Sequence, residues 1–507
     1  MKYALFSCYD KNGIEQFAKF LEVKGYKILS TGGTLKYLLD SGVNAIDVSE
    51  YTHFKDMLSG RVKTLHPAIH AGILYRRENT TDVKELLENG FKAIDIVVNN
   101  LYPFKETYLN TDDIDEIIEK IDIGGPSMIR ATAKNYKYTT IITDCSQMEL
   151  VQKEIEDNGN TTLETRKFLA GEAFNLTANY DAWIAKFFNE QNNIKFPKKY
   201  TIALENKENL RYGENPHQEA YVYDVFDGLD NAFKNAILHQ GKELSFNNYN
   251  DASAAMNIIR LFDKPACVAV KHANPCGVSE SDNLFDAYMG CYSADSESIF
   301  GGIVALNGEV NKEIAEKLVE IFLEIVIAPK FSNEALEVLK AKKNLRVLEI
   351  PNLMKSVDEL DIKFASGKAT VQELDKIEDN NIKVVTKKSP SKEEMEDLLF
   401  AEKVVKNAKS NAVVIVKNKK TIGIGLGSVN RFFAVNAALK QSSDSVEGAV
   451  LASDGFFPFD DCVRLLAESG ITSILQPGGS IKDQISIDAC DELGLSMVFT
   501  GQRHFKH

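Results

Sequence analysis

The first fifty residues alternate in type so regularly that they restrict the N-terminal region to one kind of architecture. Tyr3 to Phe6 reads as a strand, and Gly13 to Lys24 reads as a helix with Ile14, Phe17, Ala18 and Leu21 on one face. Tyr26 to Ser30 is a second strand, Leu35 to Asp40 a second helix and Asn44 to Val48 a third strand. A β-α-β-α-β order brings successive strands in parallel, with the helices as crossovers, and so predicts a doubly wound α/β sheet. Both early strands run into turns suited to an anion: Ser7-Cys8-Tyr9-Asp10-Lys11 and Ser30-Thr31-Gly32-Gly33-Thr34. Glycine lets the backbone approach a phosphate, while hydroxyls and helix N-terminal amides supply donors.

At 507 residues the chain exceeds one ordinary core, so two or more domains are expected. A polar, proline-broken stretch from Asn189 to Lys199 marks the boundary. No apolar run approaches the ~18 residues of a membrane span, and the N-terminus enters a strand pattern without a signal-peptide core. Seven scattered cysteines without Cys-x-x-Cys suit reduced thiols and a cytoplasmic setting. A net charge of −14 disfavours nucleic acid as a partner. Anionic substrates would then need local basic clusters, and four are present: Arg61 and Lys63, Arg76 and Arg77, Arg211, and the tail from Arg503 to His507.

The stretch from Cys267 to Gly277 opens as a β-branched apolar run and ends in Lys271-His272-Ala273-Asn274. It reads as a buried strand delivering functional groups to a sheet edge, with the chain turning at Pro275-Cys276-Gly277. Strand ends in α/β folds are where ligands sit. In Gly60-Arg61-Val62-Lys63-Thr64 the two cations point the same way if the segment is extended. Ile121-Asp122-Ile123-Gly124-Gly125 leads into a helix capped by Asp122 and Ser127, on which Arg130 and Lys134 share a face. Other motifs fail on spacing. Gly423-x-Gly425-x-Gly427 is not Gly-x-Gly-x-x-Gly and has no acidic ribose partner; Gly32-Gly33 is not followed by Gly-Lys-Ser/Thr. Pro275-Cys276 is shared with zinc deaminases, but Val278 and Ser279 follow Gly277 and no His-x-Glu precedes it, so no metal is expected.

Assembled in order, these motifs resemble the bifunctional purine-biosynthesis family that combines AICAR transformylase with IMP cyclohydrolase. The resemblance runs nearly end to end. It rests on Ser30 to Thr34, Gly60 to Pro67, Asn100 to Phe104, Ile121 to Gly125 and Ala133 to Asn135 in the first part. In the second it rests on Leu210 to Gln218, Lys271 to Gly277, Ser410-Asn411, Ala452 to Asp454, Phe456 to Phe459, Gln476 to Ser480 and Arg503 to Phe505. It implies a methylglyoxal-synthase-like cyclohydrolase domain over residues 1–192. A transformylase domain of two cytidine-deaminase-like halves would follow over residues 200–507. It also implies 10-formyltetrahydrofolate as co-substrate, AICAR, FAICAR and IMP as ligands, no catalytic metal, no membrane partner, and a homodimer with transformylase sites across its interface.

The same resemblance carries roles onto matching positions. His272 would act as base in formyl transfer, with Lys271 stabilising the oxyanion or protonating the folate nitrogen and Asn411 orienting His272 and the formyl oxygen. Arg211, Tyr212, Asn248, Gly301, Arg431, Phe456, Arg503 and Phe505 would bind AICAR, and Pro458, Phe459 and Asp461 the folate. In cyclisation the candidates are Lys63, Tyr102, Asp122 and Lys134, with acid and base unassigned. Lys11, Thr31, Gly33, Thr34, Arg61 and Thr64 would hold the phosphate. Three positions depart from the family pattern: Tyr9 replaces serine, Ser428 lies in an altered Gly-x-x-x-Arg stretch, and Lys368 replaces a glycine. Two other classes compete. A regulatory nucleotide-binding module would not need Lys271, His272 and Asn411 together with Lys63 and Tyr102, and a deaminase would need zinc.

Overall fold

In the computed structural model, which describes residues 2–225, 232–355, 360–378, 382–442 and 446–507, the chain forms two compact units, Met1–Glu205 and Asn206–His507. The first contains five strands: β1 (Lys2–Ser7), β2 (Tyr26–Ser30), β3 (Ala45–Asp47), β4 (Ile96–Asn99) and β5 (Thr140–Ile142). They pair in the order β3-β2-β1-β4-β5, every neighbour parallel, as the alternation predicts. Helix α1 (Ile14–Val23) buries Ile14, Phe17, Ala18 and Leu21 against this sheet. Helix α2 begins at Gly32 rather than Leu35, with Thr31 as its extended N-cap, and ends at Asp40. The glycine-rich segment is therefore the first turn of the helix, where free amides face outward, rather than a loop before it.

Helix α3 (Gly124–Lys134) packs on α4 (Leu163–Gln191), the longest helix of the unit. Ser127 does not cap α3: its Oγ donates back to the Ile123 carbonyl, and Asp122 alone meets the helix end by accepting from the Gly125 amide. Residues up to Glu205 belong to this unit, because Glu205 accepts from Trp183 Nε1 at 2.9 Å and the Leu204 carbonyl accepts from Asn179 Nδ2 at 3.1 Å.

The second unit is built on a twelve-stranded sheet with an internal repeat. The first half supplies β6 (Ile237–Gln240), β7 (Ala266–Lys271), β8 (Asn274–Glu280), β9 (Ile303–Leu306), β10 (Ile325–Ala328) and β11 (Arg346–Glu349). The second supplies β12 (Lys383–Val384), β13 (Val413–Lys417), β14 (Lys420–Gly425), β15 (Val450–Ser453), β16 (Ser473–Gln476) and β17 (Ser496–Phe499). Each half is an antiparallel hairpin, three parallel strands and an antiparallel edge strand, and the halves join where β8 meets β14. Matching helices α5 (Phe246–Ile259) and α6 (Lys392–Val405) precede the two hairpins. This is the duplicated mixed α/β region expected from the resemblance. Among the described residues no helix is long and apolar enough to cross a membrane.

One sequence motif finds its explanation here. Gly423 and Gly425 lie on β14, and a Cβ on either would collide with a carbonyl of α7 (Arg431–Ser442), that of Ala438 or Ala434. The glycines are there for close strand–helix packing, not for a dinucleotide. Gly425→Ala is expected to destabilise the second unit by about 2–3 kcal/mol, the cost of overpacking against backbone that cannot retreat. Denaturant unfolding would show it as a lower midpoint with little change in slope.

Candidate active sites in the two units

In the first unit the chain leaves β1 for β2 and β3 on one side, then crosses to β4 on the other. The loops after β1 and β4 therefore diverge and leave a crevice at the carboxyl edge of the sheet. Asn100 ties those loops together. Its Oδ1 accepts the amides of Tyr9 and Asp10 at 2.7 and 3.0 Å, and its Nδ2 donates to the Asp10 carbonyl at 2.9 Å. Lys11 Nζ donates to the Tyr9 carbonyl, and the Tyr9 ring lies edge-on to Tyr102 with centroids 6.3 Å apart. Tyr9, unlike a serine, thus builds an aromatic wall.

Lys63 reaches the start of α2: its ammonium is 3.2 Å from where a Cβ on Gly32 would stand, and Gly32 has φ +55. A side chain there would be strained and would displace the cation. Space above Gly33 is open, and the Thr31 hydroxyl makes no cap bond. The buried Thr64 hydroxyl lies against Gly124 at the start of α3. Asp122 Oδ1 accepts from Gly125 at 2.8 Å, and its own amide donates to Tyr180 Oη at 2.9 Å. Burial pushes the Asp122 carboxyl up, partly offset by the Gly125 and Tyr102 amides; burial and then the Asp122 charge push the Tyr102 hydroxyl up. Lys63, Thr64, Tyr102, Asp122 and two helix N-termini are therefore gathered at one edge.

Three expected contributors are placed otherwise. Thr34 spends its hydroxyl on Cys8, accepting from its amide and donating to its carbonyl, so it ties loops together. Arg61 does not run parallel to Lys63, because the segment is not extended there: Arg61 is helical at φ −66 and pairs with Glu119. Lys134 ends α3, at the opposite end from Asp122 and ~15 Å along the axis. There it lines a cavity of about 530 Å³ with Arg130, Lys167 and Phe174. Within one chain Lys134 does not join Lys63.

In the second unit the chain reverses earlier than expected. The turn is His272-Ala273, at φ 53 and 58, and Pro275-Cys276-Gly277 lies inside β8, which bulges there. Each non-glycine residue in the left-handed region costs roughly 1–2 kcal/mol, so the turn needs holding. Asn274 Nδ2 donates to the His272 carbonyl at 2.9 Å, and Asn274 Oδ1 accepts the Lys409 amide at 3.2 Å. The Ala273 amide donates to Asp251 at 2.7 Å, and Lys271 Nζ donates to the Phe300 carbonyl at 2.8 Å. Burial pushes the Cys276 thiol well up, which leaves it a poor nucleophile.

Asn411 follows a cis peptide bond from Ser410. Its Nδ2 donates to the Ser428 carbonyl at 2.8 Å and its Oδ1 accepts from Arg431 Nη2 at 2.7 Å. Only the main chain of Ser428 is used, which any residue supplies. Arg431 is buried and largely committed: Nη1 donates to Ser453 Oγ at 2.9 Å and to the fully buried Asp454. Asp454 also accepts from Ser410 Oγ, and its carbonyl takes the His504 amide at 3.0 Å. The tail is pinned further by Ser410 and Lys506, which exchange bonds of 2.9 and 3.0 Å. Arg503 then stacks over Phe505, 4.5 Å from the ring centre, and has no anionic partner among the described residues.

The remaining expected contacts are partly occupied. Asn248 uses its Oδ1 in a capping box with Ser245, and the Gly301 amide donates to the Phe322 carbonyl at 2.8 Å. Arg211 stacks on Tyr212 and donates to its hydroxyl at 2.6 Å. Phe456 and Phe459 are exposed, Lys482 lies 4.4 Å from the Phe459 ring centre, and Pro458 sits between them. Asp461 opens the helix Asp461–Glu468 and accepts the Cys462 amide at 2.8 Å. Sequence reasoning overlooked Asp251 and gave Asp454 and His504, though inside its motifs, no role; the roles of all three arise from partners far along the chain.

The fold and its two polar edges define a two-unit α/β enzyme with a methylglyoxal-synthase-like sheet followed by a duplicated mixed-sheet region. The family described as AICARFT/IMPCHase bienzyme matches residues 132–441, and the MGS-like domain family matches residues 13–127. The chain belongs to the AICARFT/IMPCHase bienzyme family. It is similar to proteins named bifunctional purine biosynthesis protein PurH: 53% identical over 509 residues to that of Thermoanaerobacter sp. (strain X514), and 50% over 512 residues to that of Caldicellulosiruptor bescii. The Bacillus cereus (strain B4264) protein is 48% identical over 510 residues. In each case the match covers 100% of both chains.

His504 generates a pH dependence. Burial alone would lower its imidazole, but the hydrogen bond to Asp375 and the charges of Asp375 and Glu402 outweigh that and raise it to about 9. The folded value exceeds the unfolded one, so this stabilisation is complete below about pH 6.5 and is lost as pH rises through about 9. Screening at the half-exposed Asp375 limits it to roughly 1–2 kcal/mol. Urea midpoints of the second unit are expected to fall between about pH 6.5 and 9, and His504→Gln to remove that slope.

Proposed function

We propose that the two reactions of this family run at separate centres, one in each unit. The chain is a bifunctional enzyme of purine biosynthesis. It transfers a formyl group to the 5-amino group of AICAR, giving FAICAR, and closes FAICAR to IMP with loss of water. The formyl donor is 10-formyltetrahydrofolate, bound along Phe456, Pro458, Phe459 and Asp461, where exposed rings adjoin a helix start.

The observation that carries the division is the presentation of Lys271 and His272 on a hairpin turn bonded through Asn274 to the Lys409–Asn411 loop. The AICAR amine is conjugated to an electron-poor imidazole and is a weak nucleophile. His272 takes its proton as it attacks the formyl carbon. The ammonium of Lys271 meets the oxyanion of the tetrahedral intermediate or protonates the departing folate nitrogen. Arg503, with Phe505 beneath it and no anionic partner among the described residues, meets the AICAR phosphate or carboxamide, whereas Arg431 acts mainly by holding Asn411.

Ring closure in the first unit joins the carboxamide nitrogen to the formyl carbon. Lys63 meets the negative charge that develops on the formyl oxygen, and the adjacent Asp122 and Tyr102, both with raised affinity for their protons, handle proton transfer. The open first turn of α2, with Thr31 and Gly33, takes the phosphate together with Lys11 and Thr64. The working form is a homodimer whose transformylase sites lie across the interface; exposed Phe300, Phe364 and Phe433 in the second unit support a covered surface. All seven cysteines are unpaired, in keeping with a cytoplasmic enzyme.

Tetrahydrofolate release and IMP formation, followed separately, test the division. His272→Ala is expected to lower formyl transfer by at least about 10²-fold while leaving cyclisation of supplied FAICAR intact. Lys63→Ala is expected to do the reverse, by about 10²–10³-fold. Loss of both activities in a folded His272→Ala protein refutes two separate centres.

A further inference from the structure

We propose that Asp251 is a positioning residue for formyl transfer: its carboxylate holds the His272-Ala273 turn and so fixes where the imidazole stands. The inference rests on His272 being the base of that reaction. Its own support is the internal repeat. In the first half α5 starts with the Ser245–Asn248 capping box and carries Asp251, whose Oδ1 accepts the Ala273 amide at 2.7 Å. In the second half α6 starts with the Ser391–Glu394 capping box and carries Asp397, whose two oxygens accept the Asn418 and Lys419 amides, each at 2.7 Å. The hairpins match as well. Asn418 and Lys419 have φ 55 and 52, like His272 and Ala273. Lys417 Nζ donates to the Glu447 carbonyl at 2.6 Å as Lys271 Nζ donates to that of Phe300 at 2.8 Å.

The fold therefore uses one device twice: a helix carboxylate that accepts amides of a left-handed turn. What differs is the cargo. The second turn begins with asparagine, which tolerates the left-handed region by itself, and carries no imidazole. The first places Ala273 in that region, and alanine has no polar side chain to support it, so the hydrogen bond must supply what the residue lacks. Burial raises the Asp251 carboxyl, and the amides and charge of the His272 turn pull it back, in keeping with a carboxylate dedicated to that turn.

The test compares the two copies in the full-length enzyme. Asp251→Ala is expected to lower kcat of formyl transfer by about 10²-fold, with KM for AICAR changed by less than about threefold. Asp251→Asn keeps an acceptor oxygen and should stay within about fivefold of wild type. Asp397→Ala should lower the unfolding midpoint but leave kcat within about twofold. Ala273→Gly, which removes the strain, should restore at least about tenfold of the kcat lost in Asp251→Ala. Should Asp251→Ala fail to fold, Asp251→Asn decides: a loss of about 10²-fold or more overturns the acceptor role. Wild-type kcat in folded Asp251→Ala, or an equal kcat loss in Asp397→Ala, also overturns the inference. His272→Ala with undiminished transfer sinks the functional assignment instead, so the two failures are distinguishable.

Discussion

The buried pair of Arg431 and Asp454 organises the second unit's polar edge. Asp454 is inaccessible to solvent, and Arg431 nearly so. A buried ion pair contributes little net stability, but removing one partner strands the other at a cost of about 3–5 kcal/mol. Their hydrogen bonds reach three segments: Ser410 to Ala412, Ser453 and, through the Asp454 carbonyl, the tail at His504. Asn411, through Arg431, and the tail that carries Phe505, through the Asp454 carbonyl, are both held by this pair. The stability of the pair and the geometry of the site are thus one property.

The two edges solve the same electrostatic problem by different means. A protein of net charge −14 must hold anionic nucleotides. The first unit relies on backbone: the open helix start at Gly32, with the ammonium of Lys63 laid over it. The second relies on side chains, with Lys271 and Arg503 left for ligands and Arg431 consumed in assembly. Arg61, which looked like part of the first cluster, is neutralised by Glu119.

The parallel sheet of the first unit was legible because periodicity and crossover geometry are local matters. The motifs of both edges were legible for a similar reason, since polar residues after an apolar run mark a strand end. Three kinds of information were not. The reversal at His272-Ala273 was missed because a His-Ala pair signals positive φ only weakly beside the apparent turn formers at Pro275 and Gly277, which serve a bulge instead. The start of α2 was misplaced because glycine disfavours helix interiors but is tolerated in the first turn. Asp251 was passed over, and Asp454 and His504 were left without a role, because their partners, among them Ala273, Arg431 and Glu402, are distant in sequence.

The repeat also shows why one edge of the large sheet carries chemistry and its counterpart does not. Asn307 occupies in the first half the place of Asp454 in the second: the amide of Asn307 donates to the Ala266 carbonyl as that of Asp454 donates to Ala412. Asn307 turns its side chain onto nearby backbone, accepting from Ala266 and donating to Phe262 and Lys264, and so closes its edge with neutral bonds. A carboxylate there cannot be satisfied by backbone amides alone without a countercharge. With Asp454 in place, a buried arginine is required, and the arginine in turn draws in Asn411. The hairpin turns differ in the complementary sense, histidine in the first half and asparagine in the second. Because β8 and β14 run antiparallel side by side, the histidine turn of the first half lies beside the Asp454 edge of the second. The other pairing sets Asn418 beside Asn307's closed edge, where Lys419 is paired with Glu280 and Glu396. The centre thus takes its turn residue from one half and its edge carboxylate from the other, which makes it asymmetric on a repeated scaffold.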